Sequence, residues 1–260
     1  MIWIHETMNI LDSIVETEFR YGSAMGAEIR KMPNSVRVSD DRIPERDAYN
    51  YVFISRNTPF DEAKNIVTEE LNRFRQSNAP HVKIVFHPQN QHWQRIEELE
   101  PFTYTARFIM ALSLSKPANP VSDKNCRILG KSDLDALYEF EFHMYEPKGA
   151  DYARRQTEIK LDTYKNKEEF EVILYSLGKR VVGNVELYSD SGVTKFDDFK
   201  VHEDFRRRGF GKKLQHFALL RAYQNGAGHL YAITDDDGFV KELYKKDGFT
   251  EVGILHTFRK

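Results

Sequence analysis

Hydrophobic and polar positions follow two periods along this chain, and together they predict strands and helices in alternation. Short runs of β-branched and aromatic residues are typical of strands, and apolar residues three and four positions apart are typical of amphipathic helices. In the first half, these patterns predict strands at 50–54, 82–86 and 102–114, and helices at 61–76 and 89–99. In the second half, they predict strands at 127–129, 170–177, 181–188, 195–201 and 229–234, and helices at 133–141, 152–164 and 212–224. This order predicts a mixed α/β fold, in which a mostly antiparallel sheet is flanked by helices.

A break between two halves is predicted at residues 115–123, where two prolines and small polar residues interrupt the pattern. The N-terminal half repeats the order of the C-terminal half in weaker form. Residues 96–103 align with residues 243–250, with the aromatic residue and the threonine at one constant offset. We therefore predict a divergent duplication, with domains at 1–117 and 118–260, although coincidence between two α/β segments would give the same alignment.

Composition excludes several classes of protein. At 260 residues with 40% hydrophobic content, the chain is long enough for two modest domains. A net charge of −2 favours neither a nucleic acid nor a membrane surface as partner, and no apolar run has membrane-spanning length. No signal peptide is visible, and the single cysteine, Cys126, cannot form an internal disulfide. These features predict a cytoplasmic protein that is a monomer or a homodimer.

The most informative motif is Arg-Arg-Arg-Gly-Phe-Gly at 206–211, between the predicted strand at 195–201 and the predicted helix at 212–224. The first N–H groups of a helix have no intrahelical partner, and the helix dipole adds positive charge there. Glycine lets a phosphate approach the backbone, and the arginines and Lys212 add attraction. The motif is neither a dinucleotide fingerprint, because Leu214 stands at the third glycine position, nor a P-loop. An ordinary basic loop with glycines is the alternative interpretation.

A second motif lies about thirty residues downstream, where Tyr244 to Phe249 reads Tyr-Lys-Lys-Asp-Gly-Phe. The two motifs together resemble the GNAT superfamily of N-acetyltransferases. That family carries Arg/Gln-x-x-Gly-x-Gly/Ala in its acyl-CoA loop and commonly ends a later helix in Tyr-x-x-x-Gly-Phe. The resemblance covers roughly residues 125–260. It implies a tandem GNAT-like fold that transfers an acetyl group from acetyl-CoA, without a metal, to a primary amine of a small molecule or peptide.

The resemblance also implies where the cofactor lies. The pantetheine arm would pair with exposed strand backbone, which here is Phe199, Lys200 and Val201. The diphosphate would meet the N–H groups of the loop, namely Arg206, Arg207, Arg208, Gly209, Phe210, Gly211 and Lys212. Where the family often has an asparagine against the pantetheine, this chain has Asp237, which can accept a hydrogen bond but cannot donate one. A helix cap is the alternative role for Asp237.

The resemblance implies that the Tyr244 hydroxyl faces the sulfur of the cofactor and protonates the departing thiolate. The alternative is a tyrosine that packs at a helix end. A general base must accept the proton of the amine, and the candidates are Asp197, Asp198 and Glu186. Strand alternation places Asp197 and Asp198 on opposite faces, and a bulge would change that phase. Solubility at a strand edge is the alternative role for these acids.

The acceptor would lie between the first two helices of the C-terminal half. The implied residues are His143, Tyr145 and Glu146. Aromatic and acidic side chains suit an amine, and they suit an ordinary amphipathic loop equally well.

The N-terminal copy has lost the features of a phosphate site. Its strand-to-helix turn at 56–61 contains no glycine, and Pro59 has no N–H. Asp61 and Glu62 would repel an anion there. We therefore predict that this copy binds no acyl-CoA.

Two other functions stay open at the level of sequence. One is an acyl-CoA-binding sensor or assembly module without turnover, which the Asp237 departure and the ambiguous base favour. The other is an aminoacyl-transferring relative, which tandem GNAT-like folds also support and for which no feature of the sequence argues.

Overall fold

The computed structural model describes residues 2–115, 123–235 and 238–260, with side chains from residue 10 onward. The chain forms two compact units. Unit 1 comprises Met1–Met110 and Ile233–Lys260, and unit 2 comprises Ala111–Ala232. The C-terminal segment thus belongs to the same unit as the N-terminal part of the chain, so the units differ from the predicted division at residue 117.

Unit 1 is a mixed sheet with helices. Numbered in chain order, its helices are α1 (Ile2–Ala24), α2 (Phe60–Gln76) and α6 (Phe239–Lys246). Its strands are β1 (Glu28–Lys31), β2 (Ser35–Ser39), β3 (Tyr51–Ile54), β4 (Lys83–Phe86), β11 (Thr250–Arg259) and most of β5 (Thr103–Ser113). They lie in the order β1-β2-β3-β4-β11-β5. Strands β3 and β4 are parallel, whereas β1 with β2, β2 with β3, and β4 with β11 are antiparallel.

The predicted amphipathic helix α2 covers this sheet with one apolar face. Ala63, Val67 and Leu71 recur four residues apart, and all three are buried. They belong to one core cluster with Ile84 and Phe86 of β4. Because burial of a large aliphatic side chain contributes about 1.5–3 kcal/mol, this face accounts for much of the attachment of the helix.

Strand β11 explains why the C-terminus belongs to unit 1. Phe258 lies opposite Ile84 in the antiparallel register and is buried in the same cluster. The backbone of Lys260 exchanges two hydrogen bonds with Val82, at 2.9 and 3.0 Å.

Unit 2 is an antiparallel meander followed by a parallel strand. Its helices are α3 (Leu134–Tyr145), α4 (Ala150–Asn166) and α5 (Phe210–Gln224). Its strands are β6 (Cys126–Ile128), β7 (Phe170–Leu177), β8 (Arg180–Asp190), β9 (Val193–Val201) and the first part of β10 (His229–Asp235). They lie in the order β10-β9-β8-β7-β6, and only the pairing of β9 with β10 is parallel among these described strands.

Helices cover both faces of the unit 2 sheet. Val172 and Leu174 of β7 pack with Leu161 of α4 in one buried cluster. Tyr175 points to the other face, because side chains alternate along a strand, and its ring stacks on Phe210 of α5 with centroids 4.5 Å apart. The predicted fold class, a mixed sheet flanked by helices, is confirmed.

One predicted element is wrong, and four were missed. Residues 89–99 form two short 3-10 turns, His92–Arg95 and Glu97–Leu99, rather than a helix. Their buried residues Ile96 and Leu99 are three positions apart, a spacing that suits a 3-10 turn as well as an α-helix. The sequence patterns did not predict α1, β1, β2 or β11.

Candidate functional site

Strand β9 loses its neighbour on one edge. The parallel register with β10 runs from the pair Val193–His229 to the pair Lys195–Tyr231 and, within the described residues, goes no further. On its other edge, β9 continues along β8 as far as Val201. Among the described residues, no backbone hydrogen bond to β10 is seen from residue 197 to residue 201, so this part of β9 is open on that side.

The direction of the N–H groups on this edge follows from one hydrogen bond. The His202 N–H donates to the Val182 carbonyl at 3.0 Å, so it points toward β8. Because these groups alternate along a strand, the N–H groups of Val201 and Phe199 point to the open edge. The Val201 carbonyl also points away from β8, as this alternation requires, since it accepts a hydrogen bond of 3.1 Å from Arg206 Nε in the following loop.

The predicted loop turns sharply into α5. Arg207 and Gly209 both have left-handed backbones, with φ of +61° and +80°, and α5 begins at Phe210. The Arg206 N–H, which was expected to face the diphosphate, is already bonded to the Glu203 carbonyl at 3.2 Å. This N–H is therefore less available to a diphosphate than those that follow it, and a role of Arg206 in cofactor binding stays a prediction. In the described part of the chain, the N–H groups of residues 207–212 donate to no backbone carbonyl.

Two glycines bring α5 close to the strands. A side chain at Gly183 of β8 would lie 2.9 Å from Leu214 Cδ1 and 2.9 Å from the Lys200 carbonyl oxygen. A side chain at Gly211 would lie 3.2 Å from Cζ of the Phe199 ring. The start of α5 can therefore lie directly beside the open end of β9.

The loop arginines are exposed, and two of them have partners within unit 2. Arg206 caps the Val201 carbonyl, and the Arg208 guanidinium lies over the Phe205 ring, 5.2 Å from its centroid. The Arg180 guanidinium lies 5.0 Å from the centroid of the same ring. These cations surround the turn that leads into the free N–H groups.

Asp198 stands at a β-bulge. Asp197 pairs with Glu186 and Lys200 pairs with Asn184, so two residues of β9 oppose one residue of β8. Asp198 has a φ of +50°, in the left-handed region that non-glycine residues rarely adopt. Its carboxylate is paired with Lys160 and lies 2.7 Å from Lys200 Nζ. Burial acts to raise the pKa of Asp198, but the two lysines outweigh it and hold that pKa well below its usual range. A carboxylate held so firmly in its ionised form is a weak base.

The pKa of Glu186 is shifted in the opposite direction from that of Asp198. It is fully buried, and burial raises its pKa to about 7 despite the attraction of Lys160. The Tyr164 hydroxyl donates to its Oε2, while its Oε1 has no hydrogen-bond partner among the described residues. Of the three predicted acids, Glu186 is the one whose pKa suits proton transfer near neutral pH.

Asp197 is paired with a neighbour on its own strand. Lys195 Nζ lies 3.0 Å from Asp197 Oδ2. Burial acts to raise the pKa of Asp197, but Lys195 and a hydrogen bond from the Asp198 backbone together hold that pKa below its usual value.

The three predicted acceptor residues do not converge. The Tyr145 hydroxyl accepts a hydrogen bond of 3.1 Å from Lys200 Nζ. His143 instead stacks on His202, with ring centroids 4.5 Å apart, and Glu146 is exposed.

One described group of side chains has the composition of a metal site. Ligand atoms of His143, His202 and Glu203 lie within 4.8 Å of one another. The two imidazole planes are only 6° from parallel, so their in-plane lone pairs do not converge on one point. In addition, Arg180 Nη2 lies 3.1 Å from His202 Nε2, where a metal-bound histidine ordinarily donates its second N–H to an acceptor. This geometry does not fit a metal ion.

The second motif, Tyr244 to Phe249, belongs to unit 1. Tyr244 lies on α6, is 6% exposed and packs against Phe249, with ring centroids 5.2 Å apart. Asp237 lies outside the described residues. The roles expected of both residues stay predictions.

Sequence reasoning missed several polar residues that contact Asp198 or Glu186, or that share a lysine partner with Asp198. They are the buried Glu141, Lys160 and Asn184 and the half-buried Tyr164. The signal was present in the helical spacing: Glu141 follows the buried Leu137 by four residues, and Lys160 follows the buried Ala153 by seven residues, so both charged residues lie on the buried faces of their helices.

The corresponding strand-to-helix turn in unit 1 is closed. Strands β3 and β4 stay paired to the end of β3, at Ile54–Phe86, and the His87 N–H then bonds the Ile54 carbonyl at 3.0 Å. The Thr58 hydroxyl bonds the Asn34 carbonyl at 2.7 Å. No open strand edge therefore precedes α2 among the described residues.

Comparison with known proteins agrees with these features. The family model described as an acetyltransferase (GNAT) domain matches residues 145–258. Residues 145–258 are therefore similar to this family. No curated protein matches the sequence.

Solved structures extend the likeness beyond residues 145–258, at identities that establish the fold alone. A functionally unknown conserved protein from Staphylococcus epidermidis has a TM-score of 0.71 at 15% identity, over 91% of this chain and 94% of that one. A GCN5-related N-acetyltransferase from Sphaerobacter thermophilus has a TM-score of 0.64 at 16% identity, over 87% and 76%. A tandem GNAT protein from the clavulanic acid biosynthesis pathway has a TM-score of 0.53 at 10% identity, over 81% and 74%. The tandem GNAT-like fold predicted from the sequence is thereby confirmed. Among the described helices, none combines the length and the hydrophobicity that crossing a membrane requires.

Proposed function

We propose that this protein is an acetyl-CoA-dependent N-acetyltransferase that acts on a primary amine of a small molecule or peptide. The observation that carries the proposal is the open edge of β9, which leads directly to the free N–H groups at the start of α5. The match of residues 145–258 to a GNAT domain supports it. Acetyl-CoA, when bound, supplies an activated acetyl thioester.

The backbone of unit 2 would hold the cofactor. The N–H groups of Phe199 and Val201 are available to the pantetheine amides and to the thioester carbonyl oxygen. The N–H groups of residues 207–212, together with the dipole of α5, would receive the diphosphate. Because Arg206 caps the Val201 carbonyl, this carbonyl is less available to the pantetheine than the two N–H groups.

Side chains would accept and donate the protons of the reaction. Glu186 accepts the proton that the amine loses as its nitrogen attacks the acetyl carbon, and a pKa of about 7 suits this transfer. Asp198 and Asp197 are weaker candidates, because lysines hold both in the ionised form. Tyr244 donates a proton to the sulfur as the carbon–sulfur bond breaks.

Turnover separates this proposal from an acyl-CoA-binding module. The complete burial of Glu186 and the ion pairs of Asp198 favour that second function, since neither acid is an exposed base. The test incubates the protein with acetyl-CoA and a panel of primary amines and measures both free CoA thiol and the mass of acetylated product. We expect thiol release that saturates with one class of amine. Binding of acetyl-CoA without release across the panel would support the module, and absence of binding would contradict both functions.

A further inference from the structure

We propose that four charged side chains, the buried Glu141 and Lys160 and the largely buried Asp198 and Lys200, fix the register of β9 and thereby aim the Phe199 N–H at the open edge. We call these four residues the buried quartet. They are positioning residues, because they act through the backbone of β9. The inference rests on the proposed function only in assigning that N–H to the thioester carbonyl.

Each acid of the buried quartet contacts both lysines. Lys160 Nζ lies 3.0 Å from Glu141 Oε1 and is paired with Asp198. Lys200 Nζ lies 2.7 Å from Glu141 Oε2 and 2.7 Å from Asp198 Oδ1. The Asn184 amide of β8 donates to both acids, at 3.0 and 3.1 Å. The charges balance, and the set ties α3 and α4 to the bulge.

The burial of Glu141 and Lys160 favours this one arrangement of the four side chains over arrangements that separate their charges. Glu141 is 0% exposed and Lys160 is 2% exposed. A buried charge without its partner is strongly unfavourable, so alternatives that separate these groups are disfavoured. Asp198 contacts both lysines from the bulge, where its backbone is left-handed.

The bulge decides which N–H groups face the cleft. The hydrogen bond from the His202 N–H to the Val182 carbonyl fixes the directions beyond Asp198. The N–H groups of Phe199 and Val201 point to the open edge, and the Lys200 N–H points to β8. A shift of one residue in a strand exchanges its two sides. If β9 lost the bulge, the Phe199 N–H would turn toward β8 and leave the cleft.

A charge-balanced variant tests the inference. Asp198→Asn combined with Lys200→Met removes one charge of each sign and leaves the pair of Glu141 and Lys160, and asparagine tolerates the left-handed backbone. The matched control is Glu171→Gln with Arg221→Met, which removes another partly buried ion pair of unit 2, with a contact of 2.7 Å between β7 and α5. Asp198→Asn alone, in which both lysines keep their contacts with Glu141, serves as a second variant if the double variant does not fold.

We expect kcat of the quartet variant to fall by at least about tenfold, since one lost oxyanion donor costs about 10²–10³-fold. The Kd for acetyl-CoA should change less than about threefold, because the loop at 207–212 still binds the diphosphate, and the control should change neither. Unchanged kcat in a folded quartet variant would overturn the inference. Absence of turnover in the wild-type protein would instead refute the proposed function.

Amide hydrogen exchange by NMR tests the phase without any turnover. In the wild-type protein, we expect protection at Lys200 and His202 and rapid exchange at Phe199 and Val201. In the quartet variants, this contrast should weaken or reverse. The wild-type contrast persisting unchanged in the variants would overturn the inference.

Discussion

At the scale of the residue, environment rather than residue type separates the candidate acids. Asp198 and Glu186 lie on neighbouring strands, yet lysines keep the first ionised while burial raises the pKa of the second to about 7. The sequence could predict that these acids lie near the site, because both belong to strands that precede the glycine loop. It could not rank them, since Lys160 and Tyr164 reach them from α4, about twenty to forty residues away in the chain.

Glu186→Gln should lower turnover and flatten its pH dependence. Only ionised Glu186 accepts a proton, so the wild-type rate should rise with pH through about 7 and then level off. General-base catalysis contributes about 10²–10⁴-fold, so we expect a loss of at least about 100-fold in kcat. A pH–rate series of wild type, Glu186→Gln and the exposed control Glu169→Gln measures this. A wild-type profile retained in Glu186→Gln would remove Glu186 from the mechanism.

The same substitution should stabilise the protein at alkaline pH. The pKa of Glu186 rises from 4.5 to about 7 on folding, so the folded state holds a proton that the unfolded state releases between these values. Its favourable contribution is therefore complete below about pH 4.5 and is lost as pH rises through about 7. Thermal unfolding should give Glu186→Gln the higher Tm at pH 8 and nearly equal values near pH 4.5. A lower Tm for the variant at pH 8 would contradict the burial argument.

Tyr244→Phe tests the predicted proton donor. Loss of the hydroxyl should slow turnover more than it weakens acetyl-CoA binding, since the proton is needed only as the thiolate departs. Tyr223→Phe, at a partly exposed position on α5, is the control. The measurement compares the change in kcat with the change in the calorimetric Kd for acetyl-CoA. Turnover in Tyr244→Phe equal to that of the wild type would exclude Tyr244 as the proton donor.

At the scale of the element, the site depends on where β9 ends its pairing and on how the loop enters α5. The motif at 206–211 predicted the strand, the turn and the helix in the correct order. It did not predict that the Arg206 N–H is bonded within the turn or that β9 bulges at Asp198, because both depend on tertiary contacts. The wrong helix at 89–99 has a related cause, since apolar residues three apart fit two kinds of helix.

Gly209→Ala should weaken cofactor binding through the backbone alone. Gly209 has a φ of +80°, and a Cβ there would meet no atom within 4 Å. Gly178, in the β7–β8 turn, is a matched control with a φ of +63° and equally open surroundings. Both variants should lose comparable stability, roughly 1–2 kcal/mol for a left-handed alanine.

Only Gly209→Ala should raise the Kd for acetyl-CoA, by roughly tenfold, which corresponds to about 1.4 kcal/mol. Calorimetric titration of both variants measures the difference. Equal affinities of the two variants for acetyl-CoA would show that the backbone of the loop at 206–211 does not bind the cofactor.

At the scale of the whole molecule, the tandem fold contains two strand-to-helix turns that differ in the pairing of the strand before the helix. The alignment of residues 96–103 with residues 243–250 predicted the duplication. The loss of a phosphate site in the first copy, which the turn at 56–62 indicates, stays a prediction. The alignment did not predict that residues 233–260 belong to unit 1, because the partner of β11 is β4, more than 160 residues earlier in the chain. In unit 1, β3 and β4 stay paired to the end of β3, whereas in unit 2 the pairing of β9 with β10 ends at Lys195.

Titration of the protein with acetyl-CoA, followed by amide hydrogen exchange of the complex, tests the central claim most directly. We predict one bound cofactor per chain and new protection at Phe199, Val201 and residues 207–212, with none at residues 56–62. Two cofactors per chain, protection at 56–62, or no protection at 207–212 would contradict it.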